Sequence, residues 1–269
     1  GDPARRDGAK KIASVLEMIH MASLVHDDII DDARTRRGLP TLYAQAGAKQ
    51  AVLAGDYLLS RAMALVGGRE GDLEASTVSN AFSRLCESEL DQDAGQGDFT
   101  ISTNTYMRRI AGKTASLFAL SSYAGAAVAK ADACAQRKMH RIGYLMGMAF
   151  QIQDDILDYD GHAEKLGKEP GRDILNGIPT LPLLAALKKE KVLPVEEQLL
   201  HQITAKQKIS KRDAAKAVKR VVQLGGLQEA KGIAGKYADR ATHDIRSLGH
   251  DEVERILLWV FDRLSGRRT

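Results

Sequence analysis

Apolar residues recur at helical spacing along almost the whole chain of 269 residues. This periodicity predicts helices joined by mostly short connections. The predicted helices cover residues 9–32, 47–66, 72–95, 104–130, 133–159, 181–191, 210–224, 228–247 and 250–264. Breakers such as Gly67-Gly68 and Pro170-Gly171 fall in the connections, and no alternating run is long enough to predict a sheet. The pattern therefore predicts an all-α protein of antiparallel helices around a central space.

Composition agrees with one helical domain. Hydrophobic residues make up 44% of the chain and aromatic residues only 5%, a balance that favours helices over strands. No stretch rich in Pro, Gly or Ser divides the chain, so a single domain over residues 1–269 is expected. The apolar stretch 114–129 is too short for a membrane span and is expected to be a buried helix.

Charge and cysteine content narrow the function classes. The net charge of +4 arises from basic residues interleaved with acidic ones, which argues against nucleic acid as a partner and suits small anions or a membrane surface equally well. Two cysteines are too few for a disulfide framework. The first eleven residues are charged and lack the apolar core of a signal peptide. A cytoplasmic location is expected.

Two predicted helices end in the same acidic pattern, Asp-Asp-x-x-Asp, at residues 27–31 and 154–158. Aspartates four residues apart share one helix face, where their like charges destabilise the helix. A solvated acidic helix end is the simplest explanation for one such cluster. Each acidic face, however, continues mostly apolar or small residues, which normally point inward. For the first helix these are Ser23, His20, Leu16 and Ile12, and for the second Phe150, Gly147 or Met146, and Gly143.

Inward carboxylates need cations to offset their repulsion and desolvation, and ligation by oxygen alone points to Mg²⁺. Mg²⁺ usually binds one or two carboxylates together with substrate phosphates. Basic residues follow both clusters: Arg36 and Arg37 after the first, Lys168 and Arg172 after the second. Each alone would more often be a surface charge, but together they favour a clamp for a diphosphate.

Further motifs surround these clusters in a fixed order. They are residues 17–32 through Arg36-Arg37-Gly38, 53–59, Lys113-Thr-Ala, 147–159, 166–168, Asp173-Ile and Thr180-Leu-Pro. Over residues 10 to 185 this set resembles the trans-isoprenyl diphosphate synthases, or polyprenyl synthetases, of the medium- or long-chain type. The resemblance implies a single-domain isoprenoid synthase helical bundle around a deep central cavity, which binds three Mg²⁺ ions together with diphosphate.

The resemblance also implies roles for individual residues. Asp27, Asp31 and Asp154 resemble direct metal ligands, and Asp28, Asp155 and Asp158 resemble their supporting residues. These six aspartates and Lys113 form the expected catalytic group. The expected contacts to the allylic diphosphate are Arg36, Lys113, Thr114, Gln151 and Lys168. Arg37 and His20 resemble contacts to isopentenyl diphosphate, although an interior histidine alone would more often be structural.

Product length is expected to depend on the helix turn that precedes Asp27. Ser23 lies about 5.4 Å below it, one turn away, and Ala22 lies beside that position. A prenyl chain growing along this face would meet no bulky side chain, so a medium- or long-chain product is expected. The alternative is that small residues only allow two helices to pack closely.

Two departures from the family pattern leave alternatives open. The Gly-Gly-Lys-x-x-Arg-Pro element that binds isopentenyl diphosphate is absent, so the domain is expected to lack its N-terminal helices. Ile178 stands where many relatives carry a second lysine. This replacement resembles the pattern in the catalytic subunits of two-component synthases. A homodimer is implied, with a heterodimer as the alternative and weak membrane association for a long product. A class I terpene cyclase and a non-catalytic partner subunit are less favoured.

Overall fold

The computed structural model describes residues 3–36, 38–66, 75–160 and 171–265. Regular structure in these residues is almost entirely helical, so the predicted all-α fold is confirmed. The helices are α1 (Pro3–Ile30), α2 (Leu42–Ala46), α3 (Ala48–Val66), α4 (Ala75–Ala94), α5 (Thr103–Ile110), α6 (Ser116–Val128), α7 (Ala133–Leu157), α8 (Arg172–Leu175), α9 (Leu181–Glu190), α10 (Leu199–Thr204), α11 (Lys211–Gln223), α12 (Gly226–Arg246) and α13 (Asp251–Ser265). None of the helices in these ranges is long and apolar enough to cross a bilayer.

Several local features of the described residues differ from the predicted pattern, which did not include the short helices α2, α8 and α10. The helix predicted over residues 104–130 is interrupted by a π-helical turn, Ala111–Ala115, between α5 and α6. Two-residue strands, β1 (Thr35–Arg36) and β2 (Leu39–Pro40), pair as a small antiparallel hairpin. A single 3₁₀ turn covers Val195–Glu197. Such short features carry no periodicity that a sequence pattern could reveal, and π turns often mark functional sites.

The chain divides into two compact units, and the first comprises Gly1–Ser83 and Leu120–His140. In this unit α1 packs along α3. A side chain on Gly55 of α3 would overlap the imidazole of His26, so this glycine lets the two helices approach closely. The buried face of α1 consists of Ile12, Val15, Ile19 and Ala22.

The second unit comprises Arg84–Ala119 and Arg141–Thr269. One of its hydrophobic clusters joins residues of α5, α7, α9 and α12, among them Tyr106, Ile152, Leu184 and Ala234. The other cluster lies mainly between α9, α10 and α11. The first cluster matters for function because it includes Ala115 of the π turn and the inner face of α7, on which the second acidic motif stands.

Gly147 on α7 gives a test of this packing. A Cβ atom added there would lie 2.7 Å from Cα of Ala115 and 3.0 Å from Cβ of Phe118, so the backbones would have to separate. We expect Gly147→Ala to lower the free energy of unfolding by about 1–3 kcal/mol in chemical denaturation. Gly232→Ala on α12 is the matched control, because no atom lies within 4 Å of its added Cβ. That variant should be neutral or slightly more stable; equal losses in both would contradict close packing at Gly147.

Candidate active site

The first acidic motif closes α1. The backbone N–H of Asp31 donates to the carbonyl of Asp27 at 2.8 Å, and Asp32 then adopts φ +48°, which ends the helix. Aspartate is one of the few residues with a side chain that tolerate this left-handed conformation. Asp27 is half-buried and Asp31 is exposed. These two carboxylates thus stand one helical turn apart at the open end of α1.

Asp28, between them, is buried and bound to Arg36. The Nε and Nη2 atoms of Arg36 each lie 2.9 Å from Oδ1 of Asp28. The β1–β2 hairpin, whose turn contains Gly38 at φ +80°, positions Arg36 for this contact. A guanidinium has five N–H donors, so Arg36 can pair with Asp28 and still offer donors to a phosphate. This geometry suits a supporting role for Asp28.

The predicted inward stripe of α1 is buried at Ile12 and only half-buried at Leu16 and Asp27. The face beside the stripe is buried more completely, and there Ala22 is fully buried. On the predicted stripe, His20 is exposed and Ser23 is half-buried, with its hydroxyl donating to the carbonyl of His20 at 2.8 Å. An open depression of about 460 Å³ adjoins another side of α1, around Met18 and Met21, and none of the predicted site residues lines it. Arg37 and Lys168 lie outside the described residues.

The second acidic motif lies at the C-terminal end of α7. The predicted stripe of this helix begins in the core and reaches the surface at the motif. Gly143, Met146 and Gly147 are buried, and Asp154 is exposed. Asp158 is half-buried, and its two carboxylate oxygens accept the backbone N–H groups of Arg172 and Asp173 at 3.1 and 3.0 Å. The carboxylate of Asp158 therefore fixes the start of α8.

Asp155 is the most enclosed member of the motif. Its Oδ2 accepts the hydroxyl of Tyr106 at 2.7 Å, and its Oδ1 accepts the side-chain amide of Gln151 at 2.8 Å. The amide oxygen of Gln151 in turn accepts the hydroxyl of Thr114 at 2.6 Å. Three predicted site residues are thus brought together in one network. Tyr106, which the sequence did not single out, completes it.

Burial dominates the electrostatics at this motif. It raises the pKa of Asp155 to about 7, although the hydrogen bonds from Tyr106 and Gln151 act in the opposite direction. Burial, followed by the charges of Asp158, Asp155 and Asp154, raises the pKa of Asp173 well above its usual value. Asp173 is therefore a further site residue, and its place in the Asp173-Ile motif was the only sequence signal for it. A carboxylate group in this environment would be stabilised by a cation.

The π turn positions Lys113. Its Nζ lies 3.0 and 3.2 Å from the two carboxylate oxygens of Glu89 on α4. Close packing requires a glycine at position 112, because an added Cβ would overlap the hydroxyl of Ser88 and lie 2.8 Å from the carbonyl oxygen of Arg84. Glu89 is a site residue that sequence reasoning missed, since no local pattern links it to a lysine 24 residues away.

Comparison with known proteins decides the family. The sequence model described as polyprenyl synthetase matches residues 2–221. The chain belongs to the polyprenyl synthetase family. It is 34% identical over 248 residues to component 2 of heptaprenyl diphosphate synthase from Geobacillus stearothermophilus, covering 92% of this chain and 76% of the relative. It is 33% identical to nonaprenyl diphosphate synthase from Mycobacterium tuberculosis, covering 93% and 73% of the two chains.

Solved structures agree with this assignment. The heptaprenyl diphosphate synthase of Staphylococcus aureus matches with a TM-score of 0.85 at 32% identity, over 96% of this chain and 80% of the other. A polyprenyl synthase of Caulobacter crescentus, complexed with calcium and isoprenyl diphosphate, matches with a TM-score of 0.85 at 31% identity, over 99% and 83%. The predicted resemblance is confirmed, and this polyprenyl synthetase is a trans-prenyltransferase.

The donor atoms of this polyprenyl synthetase suit a metal that arrives with substrate. Within the described ranges, no group of three or more His, Cys, Asp or Glu side chains is arranged to hold an ion. Oδ1 of Asp28 and both carboxylate oxygens of Asp155 and Asp158 already accept hydrogen bonds from protein donors. Mg²⁺ commonly uses only one or two carboxylates and completes its octahedron with phosphate oxygens and water. All-oxygen donors with few protein ligands fit that requirement.

The ion pair between Glu89 and Lys113 can be tested by diphosphate binding. Both side chains are partly exposed, at 20% and 32%, so screening reduces their attraction. Glu89→Gln should strengthen binding of inorganic diphosphate with Mg²⁺ by about threefold to tenfold in calorimetry, because a competing negative charge is removed. Glu87→Gln, an exposed position on the same helix, should leave binding unchanged. Weaker binding in Glu89→Gln would mean that Glu89 acts by orienting Lys113.

Proposed function

We propose that this polyprenyl synthetase condenses isopentenyl diphosphate with an allylic prenyl diphosphate to make a medium- or long-chain trans-polyprenyl diphosphate, with Mg²⁺ as cofactor. The observation that carries the proposal is the pair of Asp-Asp-x-x-Asp helix ends, each with a basic residue in its own unit. Relatives named heptaprenyl and nonaprenyl diphosphate synthases support the product class. A terpene cyclase would not need the second basic residue, Arg37, or the second full motif.

The proposed metal ligands are Asp27, Asp31 and Asp154, for three ions bound together with diphosphate. Bound Mg²⁺ would neutralise the diphosphate and so improve it as a leaving group. Arg36 and Lys113 add fixed positive charge, which stabilises the charge that develops on the departing group. Thr114, Gln151 and Lys168 are the further proposed contacts to this diphosphate. His20 and Arg37 are the proposed contacts to isopentenyl diphosphate.

The proposed reaction needs little acid–base machinery. The C–O bond of the allylic diphosphate breaks, and its electron pair leaves with the diphosphate. The double bond of isopentenyl diphosphate then forms the new C–C bond with the allylic carbon. Loss of one proton restores a double bond, and the released diphosphate accepts that proton. We therefore assign no protein side chain as the general base.

Assembly and location are part of the proposal. A homodimer is the expected form, but two features favour a two-component enzyme as the second candidate. A relative is named component 2 of a synthase, and Ile178 replaces the second lysine. Weak membrane association would help to release a long-chain product, and a cytoplasmic location remains a prediction.

The function is tested by incubating the protein with Mg²⁺, isopentenyl diphosphate and allylic primers of several lengths, and separating the products by chromatography. We expect elongation that stops on chelation of Mg²⁺. Asp27→Asn and Asp154→Asn should each lower kcat/KM at least about 100-fold, because each removes a charge that binds metal. Asp239→Asn, an exposed aspartate on α12, should retain full activity.

Three outcomes separate the candidate functions. Elongation that requires a partner subunit would support the two-component enzyme over the homodimer. No elongation by the chain, either alone or with a candidate partner, would overturn the proposal, and cyclised product from an allylic diphosphate alone would favour the cyclase.

Product length is tested at Ser23. This residue is half-buried one turn below Asp27, whereas Ala22 is fully buried and could not accept a ring without overpacking. Ser23→Phe should shorten the product by blocking growth along α1, with initial elongation retained. Ser14→Phe, exposed on the same helix, is the control and should not change the product. An unchanged length distribution in Ser23→Phe would favour the alternative that small residues here serve helix packing.

A further inference from the structure

Tyr106 lies at the inner end of a hydrogen-bond relay that reaches the proposed substrate site. The relay runs from Tyr106 on α5 to Asp155 and Gln151 on α7, and then to Thr114 in the π turn. Its three hydrogen bonds measure 2.7, 2.8 and 2.6 Å. Tyr106 and Asp155 are only 3% and 8% exposed, so water does not substitute readily for either partner.

Every bond of the relay has a defined direction in the structure. The phenol of Tyr106 and the amide nitrogen of Gln151 both donate to the carboxylate of Asp155. The hydroxyl of Thr114 donates to the amide oxygen of Gln151. The proton of Thr114 is thereby used inside the protein, so the predicted contact of Thr114 with the allylic substrate would be made through a lone pair.

We infer that Tyr106 is a positioning residue for catalysis, which acts through Asp155 and Gln151 to fix the direction of the Thr114 hydroxyl. Tyr106 engages Oδ2 of Asp155, and Gln151 engages Oδ1, so the carboxylate cannot rotate while both bonds persist. Without the phenol, Asp155 can turn and the amide of Gln151 can reverse. Thr114 would then present either a proton or a lone pair. The inference rests on the proposed function, in which Thr114 contacts the allylic substrate.

A double-mutant cycle tests whether Tyr106 acts through Thr114. Tyr106→Phe should lower kcat by about tenfold, the equivalent of one hydrogen bond, with each KM changed by less than about twofold. Thr114→Val should lower kcat at least as much. The double variant should be no slower than Thr114→Val alone, because the relay is already broken. Tyr144→Phe is the matched control, since Tyr144 packs against the same hydrophobic cluster, and it should retain wild-type activity.

The outcomes discriminate clearly. Rate losses that multiply in the double variant would overturn the inference, since two independent residues behave in that way. A change confined to KM, or a kcat for Tyr106→Phe within about twofold of the wild type, would also overturn it. Thermal unfolding of every variant separates a positioning role from loss of fold, because a merely structural tyrosine would lower stability without coupling to Thr114.

A second measurement does not depend on activity. The side-chain amide signal of Gln151 in the substrate-free protein can be assigned by its loss in Gln151→Glu. Tyr106→Phe and Thr114→Val should each shift this signal, and Tyr144→Phe should leave it in place. A signal that does not move in Tyr106→Phe would overturn the relay. Failure of the wild-type protein to elongate would instead overturn the proposed function, while the spectrum still tests the relay.

Discussion

The carboxylates at the end of α7 are partly removed from water, which costs free energy. Hydrogen bonds from the second unit offset part of this desolvation. Burial is the largest cause that raises the pKa of Asp155 to about 7, and neighbouring carboxylates add to burial at Asp173. The protein supplies a phenol, an amide and the backbone N–H groups at the start of α8. The positive charges of Lys113 and Arg172 also act on the cluster, yet burial still outweighs them at Asp155 and Asp173. A divalent cation bound with an anionic substrate would offset the remaining cost.

In the first acidic motif, the cost of burying a carboxylate is offset in a different way. Its buried aspartate, Asp28, is neutralised by a full positive charge on Arg36, which a two-residue hairpin positions. Thus two nearly identical sequence motifs lie in different electrostatic environments. In one, an arginine forms an ion pair with the buried carboxylate and is also the proposed contact to a phosphate. In the other, hydrogen bonds from Tyr106 and Gln151 hold the carboxylate, and the charge of Lys113 offsets burial only in part.

Periodicity predicted the positions of most helices because their apolar stripes are long. Because Asp27 and Asp31 lie on such a helix, their spacing of four residues already placed them on one face. The burial of each residue near the end of α1 was not predictable, because Ala22 and Ser23 are both small enough to occupy either a packed face or an open one. The contact from Tyr106 to Asp155 spans 49 residues and exists only once α5 packs on α7. Glu89 could not be predicted for the same reason: its partner is brought to it by a π turn that has no sequence period.

The π turn itself costs regular helical hydrogen bonds, so its persistence needs a cause. Two glycines provide one: Gly112 admits the backbone of α4, and Gly147 on α7 admits that of Ala115. The turn is thereby packed from two sides, which fixes the backbone positions from which the side chains of Lys113 and Thr114 extend. Packing cannot fix where a hydroxyl proton points, because rotation about its last bond changes almost no volume. That direction requires hydrogen bonds of defined polarity, which the buried carboxylate of Asp155 imposes. Close packing and a buried charge therefore determine different properties of the same site, its position and its direction.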